Sequence, residues 1–121
     1  MIRSMMQMYV KDSKEALIFY QKAFNAEVKN LHKDDEGNYI HAELNVYGQI
    51  IALSEVNEER ISGNTMQFCL HFEENETDIV EHAYKLLQEG AEILSPLGPN
   101  FYSKLMTDLI DQYGIRWCLF V

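Results

Sequence analysis

His41 and Glu43 are the pair in this sequence best placed to do chemistry. They lie two residues apart in the stretch Tyr39-Ile40-His41-Ala42-Glu43-Leu44, where apolar residues alternate with them. On an extended strand, residues i and i+2 face the same side, so the imidazole and the carboxylate project together. An imidazole titrates near neutral pH and works as a general base when a carboxylate orients it. The same two side-chain types also bind divalent metals. Strand rise alone sets them about 6–7 Å apart, too far to require a direct hydrogen bond, although both can reach one ligand. Four readings stay open: half of a metal site, an acid–base pair, a polar wall against a ligand, or only the polar side of a half-buried sheet.

Further residues join them as candidates. His71 has the same strand phase in Phe68-Cys69-Leu70-His71-Phe72. Arg116 can form a salt bridge with Glu43 or hold a ligand carboxylate or phosphate. Cys118 is a possible nucleophile, but Trp117 and Leu119 flank it and no histidine accompanies it in sequence. His82 stands between Glu81 and Lys85 on a helical stretch and reads as surface, as does His32 before an acidic turn. The cluster Asp34-Asp35-Glu36-Gly37-Asn38 lacks EF-hand spacing and reads as a solvated hairpin tip. There is no P-loop, no GxGxxG and no GxSxG.

The elements that must position these residues repeat. Residues 5–10 read as a strand, followed by a helix over KEALIFYQKAF that Asp12 or Ser13 can cap. Ala16, Leu17, Phe19, Tyr20, Ala23 and Phe24 form its apolar stripe. Strands are expected at 26–32, 39–46 and 50–55, with a tight turn at Gly48. The polar stretch 57–64 reads as a linker. The order then recurs: a strand at 65–72, a helix capped by Asn75 or Thr77 and closed near Gly90, then strands at 91–97, 101–109 and 115–121. This predicts an α+β fold, a single domain of two βαβββ modules, about 4–56 and 65–121, whose curved mixed sheets surround a cavity with helices on the convex side. A ferredoxin-like βαββαβ fold is the runner-up, and it leaves the third strand of each half without a place.

Strand phase separates two faces. One is apolar: Met6, Met8 and Val10; Ile40, Ala42, Leu44 and Val46; Ile51 and Leu53; Met66, Phe68, Leu70 and Phe72; Ile115, Trp117 and Leu119. It should pack beneath the helices. The other mixes polar, aromatic and sulfur side chains: Gln7 and Tyr9; Tyr39, His41 and Glu43; Gln67, Cys69 and His71; Arg116, Cys118 and Phe120. Such a lining suits a pocket for a small organic molecule. Gln7, Tyr9, Tyr39, His41, Glu43, Gln67, His71, Arg116 and Cys118 are the expected ligand-binding residues, and no cofactor is implied.

The 121 residues, 47% of them hydrophobic, can bury a substantial core, and the net charge of −9 argues against nucleic-acid backbones and anionic membranes. No apolar leader precedes Lys11, and Cys69 and Cys118 lie in apolar runs, so a cytoplasmic protein with two reduced thiols is expected. The sequon at Asn75 matters only in a secreted chain.

The segments KEALIFYQKAFNAEV, IHAELNVYGQIIALSE, FCLHFEE and DQYGIRWCLFV carry a family likeness across essentially the whole chain. The sequence resembles the vicinal oxygen chelate superfamily, which includes glyoxalase I, bleomycin-resistance proteins and extradiol dioxygenases. Within it, the chain is similar to the PhnB-like branch, also labelled demethylubiquinone-methyltransferase-like. The resemblance implies paired βαβββ modules and, in many members, dimers in which both chains build each cavity. It also implies metal ligands on the first and fourth strands of each module, at about Met5, Ala52, Gln67 and Cys118. Those residues make a poor divalent site, since Ala has no donor and Gln is a weak one. No metal site is therefore expected. PhnB-like chains commonly carry a Trp-Gly pair where this one has Phe101 and Tyr102. A methyltransferase activity would want a Gly-rich nucleotide site, which is lacking.

Overall fold

Helix α1 (Ser13–Phe24) begins on a carboxylate supplied by a distant strand. Asp12 takes a left-handed conformation (φ 57°), and its side chain caps nothing. Instead Glu55 accepts hydrogen bonds from the backbone N–H of Asp12 (3.1 Å) and of Ser13 (3.0 Å), and from Ser13 Oγ (3.0 Å). Ser13 Oγ in turn accepts from the Tyr39 N–H at 2.9 Å. The expected cap by Asp12 or Ser13 is thus replaced by one from Glu55. The register explains it: strand β1 (Met6–Val10) runs parallel to β4 (Gln49–Glu55) with Val10 opposite Glu55, so the carboxylate sits where the helix starts. Glu55→Ala should cost about 1–2 kcal/mol, the worth of a good N-cap, read as a lower urea midpoint at unchanged slope.

The computed structural model describes residues 1–59, 63 and 65–121, so most of the expected linker lies outside the described residues. The chain divides into two units, Met1–Ile61 and Ser62–Val121. In the first, β2 is Glu27–Lys33 and β3 is Tyr39–Val46, and the open sheet has the order β1-β4-β3-β2. Only β1 and β4 are parallel; the other neighbours are antiparallel. Helix α1 buries Ala16, Leu17, Tyr20, Ala23 and Phe24 against β3 and β4, whose Ala42, Leu44, Ile51 and Leu53 are almost completely buried. Burial of each large apolar side chain is worth about 1.5–3 kcal/mol before entropy is subtracted. Tyr47 and Gly48 both take positive φ (51° and 92°) in the two-residue β3–β4 turn, the primed geometry that fits strand twist.

Two irregularities break the expected phase of β3. Lys29 pairs with Glu43 but Leu31 with Ala42, leaving Asn30 as an extra residue in β2; His32 pairs with His41 but Lys33 with Tyr39, leaving Ile40 extra in β3. Each bulge shifts the ladder by one residue. Ile40, expected in the core, is therefore 60% exposed, and Tyr39, expected on the mixed face, is 8% exposed.

The second unit repeats the order: β5 (Phe68–His71), α2 (Thr77–Leu87), β6 (Glu92–Gly98), β7 (Met106–Ile110) and β8 (Arg116–Phe120). Its open sheet runs β5-β8-β7-β6, with β5 and β8 parallel. Two separate four-stranded mixed sheets bear out the doubled βαβββ fold and remove the ferredoxin-like alternative. Helix α2 buries Val80, Ala83 and Leu87, and Trp117, Leu119 and Leu109 are fully buried in the sheet. Neither Asn75 nor Thr77 supplies the cap of α2; its N-terminal flank is Glu76, whose carboxylate accepts from the Glu73 N–H. Strand β5 begins later than expected, and Met66 is exposed. Strand β7 also begins late, because Asn100 Oδ1 accepts from the N–H groups of Tyr102 (3.0 Å) and Ser103 (2.8 Å) and folds 100–103 into a turn.

Candidate functional site

Glu43 is the centre of the polar face of the first sheet. It is 2% exposed, and four donors converge on it. Oε1 accepts from Arg3 Nη2 at 2.7 Å and contacts His41 Nε2 at 2.9 Å; Oε2 accepts from Arg3 Nη1 at 3.0 Å and from Asn30 Nδ2 at 3.1 Å. A carboxylate has about four lone-pair sites, so all are used. The β2 bulge delivers Asn30, and the segment preceding β1 delivers Arg3. The Arg3 fork, then the His41 hydrogen bond, hold the Glu43 carboxyl down at about 2 against the opposing effect of burial. Glu43 is therefore ionised at neutral pH and only accepts. His41 must donate through Nε2, so in the neutral ring, which is 30% exposed, Nδ1 is the acceptor nitrogen. Strand rise does not require a direct His41–Glu43 bond, but the structure makes one: the rise separates the backbones, while the two side chains lean together.

The second sheet repeats this arrangement around Asp108. Arg116 donates from Nε to Oδ1 (3.0 Å) and from Nη2 to Oδ2 (2.7 Å), and Gln67 Nε2 donates to Oδ1 (3.0 Å). Arg116 thus pairs with Asp108, not with Glu43. The registers make the two carboxylates equivalent. Glu43 lies opposite Ala52, which lies opposite Gln7; Asp108 lies opposite Cys118, which lies opposite Cys69. Each unit so places an arginine-clamped carboxylate at the same node of its sheet.

The remaining candidates distribute as follows. Gln7 Nε2 donates to Ser54 Oγ (3.0 Å) and to the Met8 carbonyl (3.1 Å). Tyr9 is 53% exposed. Tyr39 leaves the mixed face through the bulge at Ile40. His71 stacks on Phe120 (4.4 Å between centroids, 10° between planes), and Tyr102 meets Phe120 edge-on at 5.4 Å. Tyr102 Oη lies 4.0 Å from Cys118 Sγ. Burial, then the neighbouring Cys69, push the Cys118 thiol up to about 11, the opposite of an activated nucleophile. Sequence reasoning missed Arg3, Asn30 and Asp108. Arg3 is the one Lys or Arg side chain ahead of Lys11, a usable signal; nothing in the sequence marks Asn30 as a bulge.

The model of the Glyoxalase/Bleomycin resistance protein/Dioxygenase superfamily matches residues 3–119. The chain belongs to this superfamily. Among solved structures it is similar to the PhnB protein from Bacillus cereus, with 26% identity, TM-score 0.82 and 98% of each chain covered. A protein from Pseudomonas aeruginosa shares the fold at 17% identity and TM-score 0.83, over 99% of this chain and 97% of that one. So does a variant of the fosfomycin resistance protein FosX from Listeria monocytogenes, complexed with Mn(II) and 1S,2S-dihydroxypropylphosphonic acid, at 19% identity and TM-score 0.73 over 98% and 90% of the chains. A comparison with curated proteins returns no match.

Membership in the superfamily raises the question of a metal. The donors at the corresponding strand positions do not suit one. Ala52 is fully buried and has no donor atom, Gln67 is committed to Asp108, and Cys118 holds its proton. Glu43, the carboxylate beside His41, is saturated by Arg3, His41 and Asn30. Among the described residues no group of three His, Cys, Asp or Glu side chains is gathered.

Proposed function

We propose that this superfamily member is a small-molecule-binding or sequestering protein of the PhnB-like type, working without a catalytic metal as a cytoplasmic homodimer. The observation that carries the reading is the aromatic ledge of His71, Phe120 and Tyr102 beside the clamped Asp108. His71 and Tyr102 are exposed, and both aim ring surface along the face opposite the buried Trp117 and Leu119. With Asp108 tied to Arg116, the groups this ledge leaves for a ligand are rings, a hydroxyl and thiols. That set favours a planar, weakly charged organic molecule. A thermal-shift screen with planar aromatics should find a stabiliser, since a ligand at a hundredfold excess over Kd adds about 2.7 kcal/mol. Phe120→Ala should then weaken binding up to about tenfold, the worth of one aromatic contact. A broad library without a single stabiliser would sink the reading, and light scattering at micromolar concentration checks the dimer.

The His41–Glu43 contact at 2.9 Å favours a second reading, an acid–base enzyme. The buried carboxylate orients the ring and fixes its tautomer, leaving Nδ1 to take a proton from a substrate. Vicinal dicarbonyls, catechols and hydroxylated aromatics are the substrates to assay. His41→Ala should lower turnover by about 10²–10⁴ with the fold intact. Absence of turnover on all three classes removes this reading and leaves the binding one standing. Metal analysis of protein purified without chelator tests the metal-free part, which a stoichiometric ion would overturn.

A further inference from the structure

Cys69 and Cys118 are opposite one another in adjacent parallel strands, β5 and β8. In-register neighbours in a parallel pair point to the same face, so both thiols lie on one side of the sheet. Strands are spaced about 4.8 Å apart, inside the Cα separation of about 4.4–6.8 Å that a disulfide spans. Both cysteines are free in the structure, Cys69 exposed and Cys118 buried. β5 is four residues long and lies at the end of its sheet, so it can yield slightly to bring the Cβ atoms together.

We propose that Cys69 and Cys118 form a reversible dithiol–disulfide couple, with Cys69 the attacking thiol and Cys118 the resolving one. The oxidant is a low-molecular-weight disulfide. The Cys69 thiolate attacks one of its sulfurs, forms a mixed disulfide and releases the first small thiol. The Cys118 thiol then gives up its proton, attacks the Cys69 sulfur and displaces the second small thiol. Two protein thiols are oxidised to one disulfide, and the small disulfide is reduced to two thiols, which take up the two protons. The division of labour follows from exposure, since only Cys69 meets a dissolved reagent. The general strand spacing of about 4.8 Å exceeds the mean Cβ separation of about 3.8 Å in relaxed disulfides, so a bond formed here should be strained and readily reduced, as regulatory disulfides are. The couple operates whether or not the aromatic ledge binds a ligand.

The full-length protein is incubated with oxidised glutathione, then followed by thiol titration and by non-reducing peptide mapping. The expected result is loss of both thiols, an intramolecular Cys69–Cys118 peptide, no retained glutathione, and return of both thiols with dithiothreitol. Cys118→Ala should stop at a glutathione adduct on Cys69, and Cys69→Ser should leave Cys118 reduced. The unaltered chain decides the matter even where a variant fails to fold. A lasting adduct on Cys69, covalent dimers through Cys69, or two unchanged thiols in that chain overturns the proposal.

Discussion

Asp111→Ala is expected to destabilise the protein by about 3–5 kcal/mol, a large share of the total stability of a small domain. Asp111 is 4% exposed and sits at the start of the β7–β8 turn. Its Oδ1 accepts from the N–H groups of Tyr113 (2.9 Å) and Ile115 (3.1 Å), and its Oδ2 from Trp117 Nε1 (2.8 Å). Trp117 is fully buried, so its indole N–H has no water to turn to when the carboxylate is removed. Each buried group that loses such a partner costs about 1–3 kcal/mol, and the turn loses its internal tie as well. Asp111→Asn keeps an acceptor oxygen for part of this set and should cost about half as much. Urea unfolding measures both. Equal losses for the two variants, or a loss below about 1 kcal/mol for alanine, would show that the carboxylate does not organise this turn. β8 carries Arg116 and Cys118, so the same turn sets the register of the second carboxylate node.

The turn at 110–114 also shows what a sequence discloses. Asp, Gly and Asn are legible as turn formers because their preferences act over a few residues. For the same reason the period-2 alternation of 39–46 locates β3 with its observed ends. The doubled order of elements is legible because each element advertises its own period. Other features depend on partners remote in the chain. Glu55 caps α1 from β4, which two further strands separate from the helix, and local rules nominate Asp12 or Ser13 instead. The bulges at Asn30 and Ile40 leave no compositional trace, yet they move Tyr39 out of the mixed face and bring Asn30 to Glu43. The pairing of Arg116 with Asp108 is a matter of strand neighbours, fixed only once β7 lies beside β8. His41, Glu43, Gln67 and Arg116 are therefore legible as types, while Arg3, Asn30 and Asp108 join them only through tertiary register.

Arg3→Ala should move the acid limb of stability upward by about 1–3 pH units. The Arg3 fork holds the folded Glu43 carboxyl down at about 2, against an ordinary value of 4.5. A carboxyl lowered by folding contributes stability that is complete above the unfolded value and is lost as pH falls through the folded one. In the unaltered chain this contribution should fade between about pH 4.5 and 2. Arg3 is the largest cause of the lowering, and burial pushes the other way. Without the fork, burial is opposed by His41 and Asn30 alone, so the folded value rises and the loss begins at higher pH. Arg3 is 48% exposed, which lets salt screen its charge; its two aligned hydrogen bonds persist in salt, so Arg3→Lys should restore only part of the effect. Urea midpoints from pH 2 to pH 7 read the shift, and Glu43→Gln should flatten the limb. An acid limb that is the same with and without Arg3 would mean that another carboxylate governs it.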